Sequence, residues 1–274
     1  PARVVSETHH PELAGEYSGY YAIENAGQLY WFSKKKSSDN VVLVNDITVN
    51  KNVLDENGNL AGDGSNFRTW EPIDYDPHGY LSTFDGRQHT IRGLYVNDEN
   101  RDYVGLFARV GSVGCIKYVN VADSYFKGKD YVGGLCGSSS KYVLFCSNAA
   151  TVVGSNYIGG LCGKLYDESE VRSCYNTGSV TGTGEKVGGI CGENSVDQSF
   201  KTPGSRGFTN CYNTGSVQGG TLVGGICGNN AGPALNCYNI GSVKGTANVG
   251  AIFGQNTKEK ESVQSCFYET KTGM

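Results

Sequence analysis

The chain has 274 residues, of which 27 are acidic and 23 basic, so its formal net charge at pH 7 is −4. A nucleic-acid-binding surface would be strongly basic, and this balance argues against one. No apolar run approaches the ~20 residues that a membrane-spanning helix needs. The chain begins abruptly at Pro1 without a recognisable signal peptide, so we expect it to be a fragment of a longer protein.

The N-terminal part predicts an arm followed by a cap. Residues 1–16 are polar and are typical of a linker or a loosely docked arm. From Ile23 to Lys36 the pattern predicts one short helix with Asn25 as its N-cap. Residues 41–47 predict a strand. We expect the helix and this strand to cover the first open edge of the sheets that follow.

Further along, Trp70 to Ile73 is expected to begin another strand. The segment from Thr83 to Leu94 predicts two strands joined by a turn at Asp85-Gly86, since Asp-Gly is a common turn dipeptide.

Regular repeats follow, marked by the motif Val-Gly-Gly-Leu/Ile-Cys-Gly. Copies lie at 132–137, 158–163, 187–192 and 223–228, with a degenerate copy at 249–254 and a copy one glycine short at 104–107. A second motif, Cys-Tyr-Asn-Thr/Ile-Gly-Ser-Val, begins at Cys174, Cys211 and Cys237. The repeat period is 26 to 36 residues, which indicates stacked units that bury their apolar faces on one another. The glycine pairs would let the backbone adopt positive φ or approach a neighbouring turn closely.

The short apolar runs of these repeats are broken by glycine and asparagine bends, which is typical of short strands rather than helices. A unit of this length fits about three strands of five or six residues, each paired with its counterpart one unit along at ~4.8 Å. We therefore predict an all-β chain: a right-handed parallel β-helix, or β-solenoid, over residues 81–274, preceded over residues 1–80 by an arm and a capping region with one short helix. A propeller is the main competitor, but its blades need ~40–50 residues.

Period-two alternation within the second motif predicts which side chains face inward. Cys174, Asn176 and Val180 would lie inside the solenoid and Tyr175 outside. Equivalent positions would then stack as an inner asparagine ladder of Asn176, Asn213 and Asn239 and an outer tyrosine column of Tyr175, Tyr212 and Tyr238.

The ten cysteines fall into two repeat positions. One position comprises Cys115, Cys146, Cys174, Cys211, Cys237 and Cys266. The other comprises Cys136, Cys162, Cys191 and Cys227, with Phe107 and Phe253 in the same position at the two ends. A position that accepts cysteine or phenylalanine is typical of a core, where a free thiol packs as a small hydrophobe. Disulfides are the alternative, and the absence of Cys-x-x-Cys or Cys-x-x-His spacing argues against a metal site.

The two motifs together resemble the GLUG-motif repeats of bacterial surface proteins, and the Thr83–Leu94 segment is similar to the one that commonly precedes them. The resemblance covers roughly residues 20–274. It implies a large secreted or wall-attached protein of a Gram-positive bacterium. Such repeats also occur in adhesins and beside the catalytic part of immunoglobulin-A-cleaving metallopeptidases, so the resemblance implies location and architecture more directly than activity.

A peptidase site of that class is not evident in the sequence. Such enzymes use His-Glu-x-x-His, which places two imidazoles and a glutamate around zinc. The four histidines are His9, His10, His78 and His89, and none lies in that pattern.

Parallel β-helices also host polysaccharide lyases and hydrolases, which need acidic clusters. The candidates are Asp85, Arg87, His89 and Arg92. Turn formation explains Asp85, capping or packing explains His89, and no pair of carboxylates recurs on one inferred strand face. We therefore expect no catalytic residue, no metal and no cofactor.

One long insertion interrupts the repeats, between Glu193 and Thr209, and insertions in solenoids often map to the binding face. Within it Phe200 is a candidate apolar anchor, accompanied by Lys201 and Arg206, because aromatic and arginine side chains are the usual energetic centres of interfaces.

The tyrosine column would lie on repeats flanking this insertion and would extend the same surface. Alternatively, its rings stack on one another and only stabilise the solenoid. The sequence thus predicts a monomeric, non-catalytic binding or adhesion module on the bacterial cell surface, contacting a host protein or glycoprotein such as an immunoglobulin or a mucin. The alternatives are a β-helical carbohydrate-active enzyme and a spacer or non-catalytic region of a larger surface peptidase.

Overall fold

The computed structural model describes residues 17–35, 38–73, 77–166, 168–195, 206–257 and 262–269. Within these ranges the chain forms one helix, α1 (Ala26–Lys35), and thirty-two short strands. The strands belong to four parallel sheets in which each strand pairs with its counterpart one turn along. The predicted parallel β-solenoid with one short helix near its N-terminus is confirmed.

Sheet 1 has nine strands: β1 (Tyr21–Ile23), β2 (Val41–Leu43), β4 (Thr83–Asp85), β8 (Cys115–Lys117), β12 (Tyr142–Leu144), β16 (Glu170–Arg172), β21 (Gly207–Thr209), β26 (Ala234–Leu235) and β31 (Val263–Gln264). Sheet 2 has twelve: β3 (Ile47–Thr48), β5 (Thr90–Arg92), β6 (Tyr95–Asn97), β9 (Asn120–Lys127), β13 (Ser147–Gly154), β17 (Tyr175–Asn176), β18 (Val180–Gly182), β22 (Tyr212–Asn213), β23 (Val217–Gln218), β27 (Tyr238–Asn239), β28 (Val243–Lys244) and β32 (Phe267–Tyr268).

Sheet 3 has five strands: β10 (Asp130–Gly133), β14 (Asn156–Gly159), β19 (Glu185–Gly188), β24 (Thr221–Gly224) and β29 (Ala247–Gly250). Sheet 4 has six: β7 (Phe107–Val110), β11 (Cys136–Ser139), β15 (Cys162–Leu165), β20 (Cys191–Asn194), β25 (Cys227–Asn230) and β30 (Phe253–Asn256). A regular turn passes through sheets 3, 4, 1 and 2 in that order, as β10, β11, β12 and β13 do.

The prediction of about three strands of five or six residues per turn is wrong, because each turn crosses four sheets and most strands have two to four residues. The chain bends more often than glycine alone indicates. Non-glycine residues with positive φ recur at two positions in each regular turn. One lies inside the sheet 3 strand, such as Tyr131 (φ 58°) in β10, and the other lies at the corner between sheets 1 and 2, such as Phe145 (φ 55°) before β13. A single residue in the left-handed region turns the backbone sharply. At the corner this ends the sheet 1 strand, whereas within β10 it leaves Tyr131 out of the register that pairs Asp130 and Val132 with the next turn.

The N-terminal elements differ from the prediction in their bounds. Helix α1 begins at Ala26 rather than Ile23, which belongs to β1. Asn25 is its N-cap as predicted, since its Oδ1 accepts a hydrogen bond from the Gln28 backbone N–H at 3.1 Å. The predicted strand over 41–47 is two strands, β2 and β3, which join different sheets. The predicted domain boundary at residue 80 stays a prediction, and the arm over residues 1–16 lies outside the described residues.

A short bridge replaces the strand expected from Trp70. Ile73 forms an isolated parallel bridge with Phe107, while the Trp70 ring is fully buried beside Tyr30 of α1, at 5.1 Å between ring centroids. The helix is therefore fixed to the first turns of the solenoid by aromatic packing.

The glycine pairs serve close approach rather than positive φ. At Gly134, Gly160, Gly189 and Gly225, the second glycine of each pair, an added Cβ would overlap the amide of an asparagine on sheet 2 and the carbonyl oxygen of the next turn. The asparagine that Gly189 contacts is Asn213, and the carbonyl belongs to Gly225. The two repeat motifs therefore pack on each other across the solenoid interior.

The inward face of the second motif is as predicted. Cys174, Asn176 and Val180 are buried. The asparagine ladder begins one turn earlier than predicted, and each side chain donates from Nδ2 to Oδ1 of the next at 2.8 Å, in the order Asn148, Asn176, Asn213 and Asn239. A second ladder on sheet 4, of Asn194, Asn230 and Asn256, was not predicted. Apart from the exposed Asn256, the ladder side chains are buried, and the ladders satisfy polar groups that are otherwise costly to bury.

The Cys/Phe position is confirmed as a core column. Cys136, Cys162, Cys191 and Cys227 pair in register, with Phe107 and Phe253 at the ends. The other column is correct from Cys146 onward, but Cys115 does not belong to it. Cys115 pairs with Tyr142, and the column position in its turn is held by Val119, directly before Asn120. A residue belongs to the column when it directly precedes the strand of sheet 2, whether or not it is a cysteine.

All ten cysteines are free thiols in the structure, and eight are buried. Burial raises the pKa of Cys174 and Cys191 well above the usual range, so these thiols are poor nucleophiles. We expect slow reaction with a thiol reagent under native conditions and about ten reactive thiols per chain after unfolding in denaturant without reductant. Titration with and without denaturant checks this, and a count near zero in denaturant would show disulfides instead.

Candidate functional site

The predicted tyrosine column lies on the outer face of sheet 2. Strands β17, β22 and β27 place Tyr175, Tyr212 and Tyr238 in register. The rings stack at 4.8 and 4.9 Å between centroids with interplanar angles of 3° and 5°. Phe267 continues the register and is 66% exposed, against 41% for Tyr238. The column is a fixed aromatic strip that becomes more exposed towards the last turn.

Stacking limits what this strip offers to a ligand. Both faces of Tyr212 are covered, by Tyr175 and Tyr238. The strip therefore presents ring edges and hydroxyl groups along its length. The next position beyond Tyr175 is Ser147, whose small side chain covers no ring. Stabilisation by mutual stacking and contact with a partner are thus both compatible with the column.

The predicted residues of the insertion are only partly described. Phe200 and Lys201 lie outside the described residues. Arg206 directly precedes β21, and its Nη2 is 3.7 Å from Oε1 of Glu168, which also pairs with Lys141. Tyr212 follows the other end of β21, so Arg206 and the tyrosine column flank the same strand of sheet 1.

A second aromatic column was not predicted. Tyr103, Tyr131 and Tyr157 each directly precede a Val/Ile-Gly motif, and their rings stack at 4.6 Å with angles of 5° and 8°. Its terminal rings are covered by cations, since Arg109 Cζ lies 3.8 Å from the Tyr103 centroid and Lys186 Nζ lies 4.6 Å from that of Tyr157. With every ring covered by a neighbour, this column stabilises the stack. The fixed position of tyrosine before the motif is the sequence signal that could have revealed it.

A buried carboxylate lies beside this second column. Glu193 pairs with Lys164 at 2.8 Å and Lys186 at 2.9 Å, and Asn229 Nδ2 donates to it at 3.1 Å. Burial alone would raise the pKa of Glu193, but these partners reverse the effect and lower its pKa from 4.5 to about 2. The charged form of Glu193 is therefore stabilised by folding.

This pKa predicts acid sensitivity. Because the folded pKa lies below the unfolded value, the contribution to stability is complete above pH ~4.5 and is lost as the pH falls towards ~2. We expect Glu193→Gln to lower the free energy of unfolding at pH 7 by about 2–3 kcal/mol and to flatten its pH dependence below pH ~5. Urea unfolding across this pH range measures both.

Glu168→Gln is the matched control, since Glu168 pairs with Lys141 and Arg206 on the surface, where ion pairs contribute little. If Glu193→Gln and the original chain showed the same pH dependence, the ion-pair account would be wrong.

The carbohydrate-enzyme candidates have structural partners. Asp85 is buried, lies 3.0 Å from Lys117 Nζ, and accepts the Arg87 backbone N–H at 2.9 Å in an Asx turn. His89 Nδ1 lies 3.2 Å from Oδ1 of the exposed Asp46. Arg92 is exposed on β5. These contacts fix the turn after β4 and the start of β5.

A groove of about 380 Å³ lies between the 63–71 loop and β6, lined by Asp63, Phe67, Tyr95 and Asn97 and crossed by the Arg101–Glu71 pair at 3.0 Å. Of the predicted site residues that the structure describes, Tyr175, Arg206, Tyr212 and Tyr238, none lines it. Across the described ranges, no three His, Cys, Asp or Glu side chains gather as metal ligands would. Helix α1, the one helix in those ranges, is too short to cross a bilayer.

Comparisons with known proteins agree with this architecture. The GLUG motif family matches residues 154–181, the turn that runs from the end of β13 into β18. A 93-residue stretch, 34% of this chain, is 29% identical to halomucin from Haloquadratum walsbyi, of whose length it spans 1%.

A crystal structure of a provisionally assigned immunoglobulin A1 protease from Bacteroides ovatus matches 91% of this chain and 75% of that chain, with a TM-score of 0.63 and 20% identity. That similarity shows a shared fold. The chain thus carries the GLUG motif at residues 154–181, on a β-solenoid whose fold it shares with the Bacteroides ovatus protein.

Proposed function

We propose that this solenoid is a non-catalytic binding module of an extracellular bacterial surface protein, and that it contacts a host protein or glycoprotein. The observation that carries the proposal is the outer aromatic strip of Tyr175, Tyr212 and Tyr238, extended by Phe267. Aromatic side chains are enriched at the energetic centres of interfaces. These rings are already ordered by stacking, so a partner would immobilise little side-chain freedom on binding.

The comparisons support the location and the kind of partner. The GLUG motif, the halomucin similarity and the shared fold with a provisionally assigned immunoglobulin A1 protease all favour an extracellular module. The insertion residues Phe200, Lys201 and Arg206 remain part of the proposed surface as an apolar anchor with two cations. Arg206 and the tyrosines flank β21, so one partner could contact both.

Capture from mucosal secretions on the immobilised chain tests the proposal. The captured protein is identified, and its affinity is then measured for Phe200→Ala/Arg206→Ala and for Tyr238→Ala. If these residues are anchors, each variant should lose about 1–4 kcal/mol of binding free energy, with an unchanged unfolding midpoint. No activity should appear when glycans are incubated with the chain, with or without calcium.

Tyr157→Asn is the control, because Asn248 occupies the equivalent position in a sheet 3 strand with φ 51° and shows that the backbone accepts asparagine there. Unchanged affinity in both test variants would remove the insertion and the tyrosine strip from the site. Cleavage of a glycan would favour the carbohydrate-active enzyme instead.

A further inference from the structure

The outer face of sheet 1 holds three buried polar atoms without a hydrogen bond. They are Glu170 Oε1 and Arg172 Nε on β16 and Thr209 Oγ1 on β21. Glu170 and Thr209 are 5% and 9% exposed although they point away from the core, where Val171 and Phe208 lie. An unsatisfied buried polar atom costs about 1–3 kcal/mol, so three in one patch call for an explanation.

These atoms lie close together. Arg172 pairs with Thr209 across the sheet, and Glu170 pairs with Gly207. Arg172 Nε is 3.3 Å from Glu170 Oε1, yet the two are not aligned for a hydrogen bond. The Arg172 side chain is 42% exposed, so a ligand would reach the Glu170 carboxylate by displacing it.

An aromatic ring borders the same patch. Phe145 is 41% exposed and stacks on Tyr118 through one face, at 4.9 Å and 9°. The next residue in its corner column is Ser173, which covers no ring, and Arg172 Cζ lies 5.9 Å from the Phe145 centroid. Tyr142, in register with Glu170, is a second exposed aromatic at the edge.

The chemistry of these groups selects one kind of ligand. The Glu170 oxygen accepts a hydrogen bond, Arg172 Nε donates one, and the Thr209 hydroxyl does either. Neighbouring hydroxyls of a pyranose both donate and accept, and its apolar C–H face stacks on an aromatic ring. Glu170 and Arg172 cancel in charge, which favours a neutral sugar over a sialic or uronic acid.

We propose that Glu170, Arg172, Thr209 and Phe145 form a subsite for a neutral pyranose residue of a glycan. This inference rests on the proposed binding function and deepens it, because it identifies the recognised part of a glycoprotein partner as its sugar. Binding would supply hydrogen bonds to three polar atoms that have none in the folded chain.

The test uses the whole chain and defined probes. Saturation-transfer NMR and calorimetry are run with neutral oligosaccharides released from mucin, with their sialylated and sulfated forms, and with neutral β-glucan oligosaccharides. We expect binding of neutral sugars and weaker binding of the acidic forms, and the two neutral sets distinguish a host source from a plant source. Thr209→Val and Glu170→Gln should each reduce affinity about tenfold or more.

Two controls separate recognition from folding. Thr209→Val keeps the side-chain shape and removes an unsatisfied hydroxyl, so its unfolding midpoint should stay equal or rise while binding falls. Phe145→Asn should weaken binding and Tyr157→Asn should not. Both replace the last aromatic ring of a stacked column of positive-φ residues, and each column already carries asparagine, at Asn236 and Asn248 respectively.

Two results would overturn the inference: failure of every neutral glycan to bind, or wild-type affinity in both Thr209→Val and Glu170→Gln. A host protein that is captured equally well after enzymatic removal of its glycans would also refute the sugar subsite, while leaving the proposed binding function in place. Loss of capture on deglycosylation and in Glu170→Gln would support both.

Discussion

Replacing Gly189 by alanine should destabilise the solenoid by about 3 kcal/mol or more, because overpacking against backbone atoms has no low-cost relief. The new Cβ would overlap the Gly225 carbonyl oxygen of the next turn and the Asn213 amide across the interior. Neither can retreat without separating paired strands. Urea unfolding followed by circular dichroism gives the shift in midpoint.

Gly62→Ala is the matched control for this substitution. Gly62 has φ +69° and nothing within 4 Å of an added Cβ, so alanine there meets only the backbone preference. That preference is worth about 1–2 kcal/mol. Equal destabilisation by the two substitutions would show that conformational preference, rather than contact with Asn213 and Gly225, explains the glycine.

Replacing Asn213 by serine should cost about 3–5 kcal/mol. Asn213 Nδ2 donates to Asn239 Oδ1 at 2.8 Å and to the Gly215 carbonyl at 2.9 Å, and its Oδ1 accepts from Asn176 at 2.8 Å. Serine is too short to replace these bonds, and the buried partners on both neighbouring turns lose a bond that water cannot replace. Urea unfolding measures the loss.

Asn236→Ser is the control, since Asn236 also bonds to an asparagine one turn away, Asn210, at 3.2 Å, but on the surface. Its corner column already contains Ser173 and Ser265, so serine fits the backbone. We expect a change below about 1 kcal/mol, because water replaces the exposed bond. Similar losses of unfolding free energy in Asn213→Ser and Asn236→Ser would mean that burial does not determine how much the ladder stabilises the fold.

Much of the stack could be predicted from the sequence, because parallel in-register pairing places identical positions on each other. That rule was sufficient for the Cys/Phe column, the asparagine ladder and the outer tyrosines. It failed for Cys115, which was assigned to the column because it is a cysteine, although it lies too far before the following sheet 2 strand. The four-sheet path was missed because corner residues such as Phe145 adopt positive φ, for which their residue type has no preference.

The candidate sites were less predictable. Alternation indicated that Tyr175 faces outward, but not that stacking would cover both faces of Tyr212. The lack of a hydrogen bond at Glu170 Oε1 and Thr209 Oγ1 depends on side-chain geometry across two turns, which no local pattern encodes. The predicted insertion residues Phe200 and Lys201 remain predictions, because they lie outside the described residues.

The second glycine of the first motif contacts the ladder asparagine of the second motif, so neither can change without affecting the other. In the first copy the second glycine is missing, and the ladder position of that turn is Val121, which pairs with Asn148. In the last copy Ala251 replaces the glycine, and Tyr268 stands where the ladder would continue beyond Asn239. Both members are lost together at each end of the array, although 14 to 24 residues separate each intact pair. Duplication or recombination of these repeats should therefore preserve function only when its breakpoints keep each glycine with its own asparagine. The long insertion is tolerated because it lies between Gly189 and Asn213 and changes neither of them.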